Sequence, residues 1–220
     1  MSHVRIGAVH ALGDSMAPTQ LAFQLHWPDA SVAHLLDGSL YLDRSAGTAD
    51  AAEIARRVKR LIEHSAATGS VGVLFTGSFF AAAVRAARSV VSIPIATSFD
   101  GILESVTKTE GPVRIISTAV DSVTLLAEEV DALAAARGLG IETIGGVVAG
   151  AMDALVGGDV DRHDQLVIDH LNQIPTSATI VLAQFSMERV ISKLRPRDAP
   201  TLGPAQEGVK HLRRIVGGGE

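Results

Sequence analysis

The feature that most constrains this chain is the recurrence of short apolar, β-branched runs, each separated from the next by a helical pattern or a turn. The runs are "VRIGAVHAL", "SVAHLL", "VGVLFT", "SIPIAT", "PVRIIST", "IETIGGVV" and "ATIVLAQF". Most are too continuously apolar to keep a solvated face, as expected of strands covered on both sides in a parallel sheet. After Asp50, residues Ile54, Val58, Leu61 and Ile62 recur at helical spacing, with Glu53 placed for a capping box and Gly69 as a stop. A second helical pattern begins near Thr118, with Asp121 three residues on. It carries Val123, Leu126, Val130 and Leu133 and stops at "RGLG". A third follows "GGD" with Leu166, Val167, Leu171 and Ile174. Strand and helix alternating in this way predict an α/β fold with right-handed crossovers.

The pattern also repeats. "VGVLFTGSFFAAAVRAA" and "ATIVLAQFSMERVISKL" each read as a buried strand, a small polar turn and a helix, about half a chain apart. The repeat predicts two pseudo-symmetric Rossmann-like lobes with parallel sheets: residues 1–97 with 205–220, and residues 98–204. The boundary falls near Ser98, and the last helix, around Glu207 to Ile215, returns to the first lobe. Ligands of such sheets sit at the carboxyl ends of the strands, and the cleft between the lobes is the expected active site.

Composition narrows the chemistry. A formal charge of −5 over 220 residues and an aromatic content of 4% argue against a nucleic-acid surface. No apolar run approaches the roughly 18 residues of a membrane span, and the N-terminus runs into a strand without a basic region and cleavage site. A cytoplasmic protein that meets small molecules, and neither nucleic acid nor membrane, is expected. There is no cysteine, which removes disulfides, thiolate zinc sites and thiol nucleophiles together. The histidines lack metal-ligand spacing, so no metal is expected.

The strand ends collect the candidate site residues. His10 ends the first run, Asp37 the second, and Thr76, Gly77, Ser78 and Phe79 follow the third. Ser117 and Thr118 end the first run of the second lobe, and Gln184, Phe185 and Ser186 end its last. Together they supply hydroxyls, an amide and backbone N–H groups, a combination suited to a carboxylate or another oxyanion. Each also has a plainer reading. Thr76, Ser78, Thr118 and Ser186 suit helix N-caps, Asp37 suits a cap on the following turn, His10 suits a satisfied strand-end histidine, and the phenylalanines suit the core. "GGVVAGAMDALVGGD" lacks the spacing of a phosphate loop and reads as a tight packing turn.

In order along nearly the whole chain, "VHAL", "HLLDGSL", "LFTGSF", "GAMDALVGGDVDRHDQLV" and "VLAQFSM" resemble the strand-end signatures of the aspartate/glutamate/hydantoin racemase superfamily. The resemblance implies two α/β lobes, no cofactor, and a substrate that is a small carboxylate or cyclic amide with an acidic C–H. It also implies dimers or higher assemblies, an expectation of a homo-oligomer that the raised apolar content shares. Typical members carry a cysteine in each of two loops, one on either face of the substrate. Matching the motifs puts those positions at Gly77 and Gln184, and neither residue titrates. Two-thiol racemisation is therefore excluded. The resemblance leaves a one-sided isomerase reaction with His10 or Asp37 handling the proton, a decarboxylation like that of the arylmalonate decarboxylases, which resemble members with glycine at the first position, or a cleft that binds without catalysis.

Overall fold

The computed structural model describes residues 4–97 and 99–218, so the boundary expected near Ser98 lies outside the described residues. The chain forms two compact units, one of residues up to Gly101 together with those from Ala205 onward, the other Ile102–Pro204. Each is described by itself.

The first unit is built on a parallel sheet of order β2-β1-β3-β4, with β1 Val4–His10, β2 Ala30–Leu36, β3 Gly72–Thr76 and β4 Ile95–Thr97. Helices α1 (Met16–His26), α2 (Ser39–Ala46), α3 (Ala51–Ala67) and α4 (Ala81–Ala87) connect the strands. The continuously apolar strands β1 and β3 are the central ones, and β3 is buried throughout. β2 departs from the expectation of full burial: it lies at the sheet edge and its burial alternates, so one face of "SVAHLL" is open. On α3, Asp50 accepts from the backbone N of Glu53 at 2.8 Å, and Ile54, Val58 and Ile62 are buried against Val9, Val73, Phe75 and Phe80. That helix is amphipathic because its apolar residues recur on one face only.

The second unit repeats the arrangement in the order β6-β5-β7-β8, with β5 Val113–Ser117, β6 Thr143–Val147, β7 Thr179–Leu182 and β8 Thr201–Leu202. α5 (Asp100–Val106) leads into it, followed by α6 (Val120–Arg137), α7 (Ala151–Val156), α8 (Val160–Gln173) and a 3-10 segment over Phe185–Lys193. α6 begins at Val120 rather than Thr118, because Ala119 is still extended, and it ends where Gly138 turns left-handed with φ 64°. "GGVVAGAMDALVGGD" is more than a turn: it holds the end of the edge strand β6 and all of α7.

The last helix, α9 (Pro204–Val216), packs in the first unit with Ala205, Val209 and Leu212 fully buried. Three glycines mark how closely it approaches. A Cβ on Gly101 would come within 2.0 Å of the Glu207 carbonyl oxygen. One on Gly72 in β3 would lie 2.6 Å from Val216, and one on Gly208 would lie 3.1 Å from Leu74.

Candidate functional site

In the first unit β1 and β3 end side by side, with His10 opposite Thr76, and the His10 carbonyl accepts from the Asp37 backbone N at 3.0 Å. The His10 imidazole is completely buried. Its Nδ1 lies 2.7 Å from Thr76 Oγ1 and 2.9 Å from Ser15 Oγ, and the two hydroxyls are 2.8 Å apart. Its Nε2 lies 2.9 Å from Nδ1 of His34, whose Nε2 lies 2.9 Å from Gln20 Oε1. Burial, helped by the charge of the neighbouring His34, pushes the His10 pKa down to about 3. The ring is therefore neutral at pH 7.

Asp37 is committed elsewhere. Its Oδ1 accepts from the backbone N and the hydroxyl of Ser39, and its Oδ2 accepts from Arg57 at 2.9 Å. Burial by itself would raise its pKa, but the Ser39 and Arg57 hydrogen bonds and the guanidinium charge hold it below the ordinary carboxylate value. Arg57 also bridges to Asp43 at 2.6 Å. The carboxylate closes the turn that leads into α2, whose N-cap is Gly38, and ties that turn to Arg57 of α3.

Gly77 is extended, with φ −173° and ψ 97°, so backbone strain does not demand glycine there. Space does. A Cβ would sit 2.8 Å from Cδ2 of Phe80, a core ring that meets Phe75 edge-on with centroids 6.0 Å apart. Ser78 and Phe79, both half-buried, follow in the 3-10 turn Ser78–Phe80. The Arg44 guanidinium lies over the Phe79 ring, 4.0 Å from its centroid.

The second unit places Ser117 and Gln184 comparably. The Ser117 carbonyl accepts from Val148 N at 2.9 Å, as His10 accepts from Asp37. Gln184 Oε1 accepts three hydrogen bonds: from Ser117 Oγ at 2.9 Å, from Thr118 N at 2.8 Å and from Thr118 Oγ1 at 2.6 Å. The Ser117 hydroxyl in turn accepts from Ala119 N at 3.1 Å. The Thr76 and Thr118 hydroxyls thus serve His10, Ser15 and Gln184 rather than helix caps. Phe185, Ser186 and Met187 are buried in the 3-10 segment, and Met187 belongs to the core of this unit.

"GDVDRHD" holds that segment in place. Asp159 caps α8 by accepting from Arg162 N at 3.0 Å. Asp164, beside the fully buried His163, accepts from Arg189 Nε at 2.6 Å and pairs with Lys193 at 3.4 Å. Burial would raise the Asp164 pKa, but the His163 and Arg189 hydrogen bonds keep it below the ordinary value. α8 is thereby fastened to the residues that follow Gln184.

Sequence reading missed Ser15, Gln20, His34, Arg57 and Arg44. The one available signal was His34, a polar residue inside an apolar strand run. The others come from helices whose place beside the strand ends only the fold reveals. Among the described residues no group of three or more His, Asp or Glu could hold a metal ion, and no helix is long and apolar enough to cross a membrane.

No protein-family model matches the sequence, and no curated protein matches it. Solved structures do match. Allantoin racemase from Klebsiella pneumoniae superposes with a TM-score of 0.68 at 15% identity, covering 97% of this chain and 88% of that one. A glutamate racemase from Bacillus anthracis gives 0.64 at 16%, covering 99% and 83%. An aspartate racemase homologue from Pyrococcus horikoshii OT3 gives 0.66 at 8%, covering 97% and 99%.

Proposed function

We propose that this chain, which has the fold of the aspartate/glutamate/hydantoin racemase superfamily, is a cofactor-independent isomerase-type enzyme. In this reading it binds a small carboxylate and stabilises the enediolate that develops from it, without two-thiol racemisation. The carrying observation is Gln184. Three donors fix its carbonyl oxygen, so its amide nitrogen is turned away as a positioned donor of two protons. Such a donor suits a carboxylate and suits the more highly charged enediolate better, which is the condition for lowering a barrier. An amide cannot exchange a proton with carbon, so in this reading Gln184 binds and polarises while the α-proton leaves to solvent water and returns from it.

A second reading, loss of carbon dioxide, is favoured by Gln184, whose outward amide would offer a ligand a donor and no base. Breaking a C–C bond to a carboxylate delivers the electron pair to the enediolate without any proton being removed first.

Proton NMR in D2O with amino acids, hydantoins, aryl- and alkylmalonates and maleate separates the readings. Exchange of the α-hydrogen or conversion to an isomer supports the isomerase. Loss of carbon dioxide with deuterium incorporation supports the lyase. Broadening of carboxylate signals without turnover sinks both and leaves a binding protein. Gln184→Leu is expected to abolish whichever signal appears.

A further inference from the structure

The two sheets have four edges, β2 and β4 in the first and β6 and β8 in the second. An edge strand presents a row of unpaired N–H and C=O groups, and natural proteins guard it with shortness, proline, charge or a bulge. Three of the four are guarded. β4 has three residues and follows Pro94, and β8 has two and follows Pro200. β6 has five, with Gly145 and Gly146 among them. Glu142 precedes it, and the Asp131 carboxylate accepts from Thr143 Oγ1 at 3.0 Å.

β2 has none of these guards. Its seven residues include no Pro, Asp, Glu, Lys or Arg, and its register against β1 runs unbroken from Ala30 to Leu36. The Asp37 backbone N donates inward to the His10 carbonyl. N–H groups alternate sides along a strand, so those of Val32, His34 and Leu36 point out of the sheet edge. The backbones of these three have no partner on that side among the described residues. The edge is also open at its side chains: Ser31 and Ala33 are exposed, and Leu36 is 47% exposed.

We infer that β2 is the seam of a dimer, pairing antiparallel with β2 of a second copy about a two-fold axis at His34. That register is the one that uses all three outward residues of both copies. His34 meets its own counterpart, and Val32 meets the partner's Leu36. Each of the three pairs exchanges two backbone hydrogen bonds, and the exposed Leu36 gains an apolar cross-strand neighbour. Charge decides the sense of the pairing. Asp29 and Asp37 flank the strand at opposite ends. Parallel pairing in register would set each beside its own counterpart. Antiparallel pairing sets Asp37, already bridged to Arg57, across from the partner's Ser31. A one-strand seam is smaller than a standard stable interface, so the dimer forms and dissociates with concentration.

Sedimentation of the unaltered chain from about 1 μM to about 100 μM is expected to show monomer passing to dimer. A monomer throughout overturns the inference and leaves the edge to a strand of another protein. Hydrogen exchange on the same samples is expected to slow at the Val32, His34 and Leu36 amides as concentration rises. It is expected to stay constant at Thr143, Gly145 and Val147, whose N–H groups point outward from β6 by the same alternation. A dimer whose β2 amides exchange as fast as the monomer's overturns the seam.

Leu36→Lys is expected to weaken the dimer about tenfold, because it removes both copies of an apolar cross-strand pair. Adding Val32→Glu to the same chain is expected to recover most of that loss, since position 32 of one copy then meets position 36 of the other with opposite charge. Four residues apart along one strand, the two side chains are about 13 Å from each other and cannot pair within a copy. Circular dichroism checks that both chains keep their fold. A double substitution that dimerises more weakly than Leu36→Lys alone overturns the register. Val147→Lys, on the edge of the second sheet, is expected to leave the dimer intact, and its dissociation would overturn the choice of edge.

Discussion

His10 and Ser117 end the first strands of two sheets with matching strand orders, and each carbonyl accepts from the residue just past the neighbouring edge strand. Their hydroxyl sets are nonetheless wired differently. In the first unit Thr76 and Ser15 converge on an imidazole, which can accept or donate at Nδ1. In the second, Ser117 and Thr118 converge on an amide oxygen, which can only accept. The same backbone frame therefore carries one hydrogen-bond set with reversible direction and one with fixed direction. What differs is the donor and acceptor inventory of a single side chain.

The largest effect expected to separate the units is acid sensitivity. The folded His10 pKa of about 3 lies below the ordinary value of 6.5, so the unfolded chain binds the proton first. The stability held above pH 6.5 is lost as pH falls toward 3, by about 3 kcal/mol at pH 4 from this residue alone. His34 and His26, also lowered chiefly by burial, act in the same direction. Urea unfolding from pH 7 to 4 is expected to show the slope, His10→Asn to flatten it, and hydrogen exchange to open β1 before β5.

Next in size is the fixed set. Gln184→Leu strands three donors, all of them on Ser117 and Thr118, which are buried to 0% and 6% exposure, and is expected to cost about 2–3 kcal/mol in chemical denaturation. Gln184→Glu keeps an acceptor for all three and should restore that stability, but it offers no outward donor, so malonate binding should stay lost. Recovery of binding with Glu would break the contrast between the two sets.

Smaller still is the steric effect at the matched loop position. Gly77→Cys pushes against Phe80 and is expected to lower stability by about 1–2 kcal/mol, with Phe80→Leu in the same chain recovering part of it. The smallest change is Arg44→Ala. It removes an exposed cation–π contact with Phe79, costing about 0.5–1 kcal/mol in the unfolding midpoint series.

The central strands β3 and β7 were legible because burial on both faces leaves a continuous apolar run. β8, only Thr201–Leu202, is too short to leave one. α1 was not legible: Leu21 and Leu25 are exposed while Thr19 is buried, so its apolar residues mark no single inner face. The site was legible as a set of strand ends and illegible as a circuit. His10, Thr76 and Gln184 could be named from their places after strands. Their partners Ser15, Gln20 and His34 are fixed by the register of β1 against β2 and by the return of α1, neither of which leaves a linear spacing. Asp37 was visible as a carboxylate, but Arg57, which neutralises it, lies a full helix away in sequence.

The return of α9 has a consequence for how the molecule is made. Synthesis runs from the N-terminus, and domains ordinarily fold in that order as they emerge. Here the unit that begins first is finished last. All its strands are out of the ribosome while β3 still lacks the helix that covers Gly72 and Leu74. The contiguous second unit can close as soon as Pro204 has emerged, so the nascent chain carries a completed C-terminal half before its N-terminal half can seal.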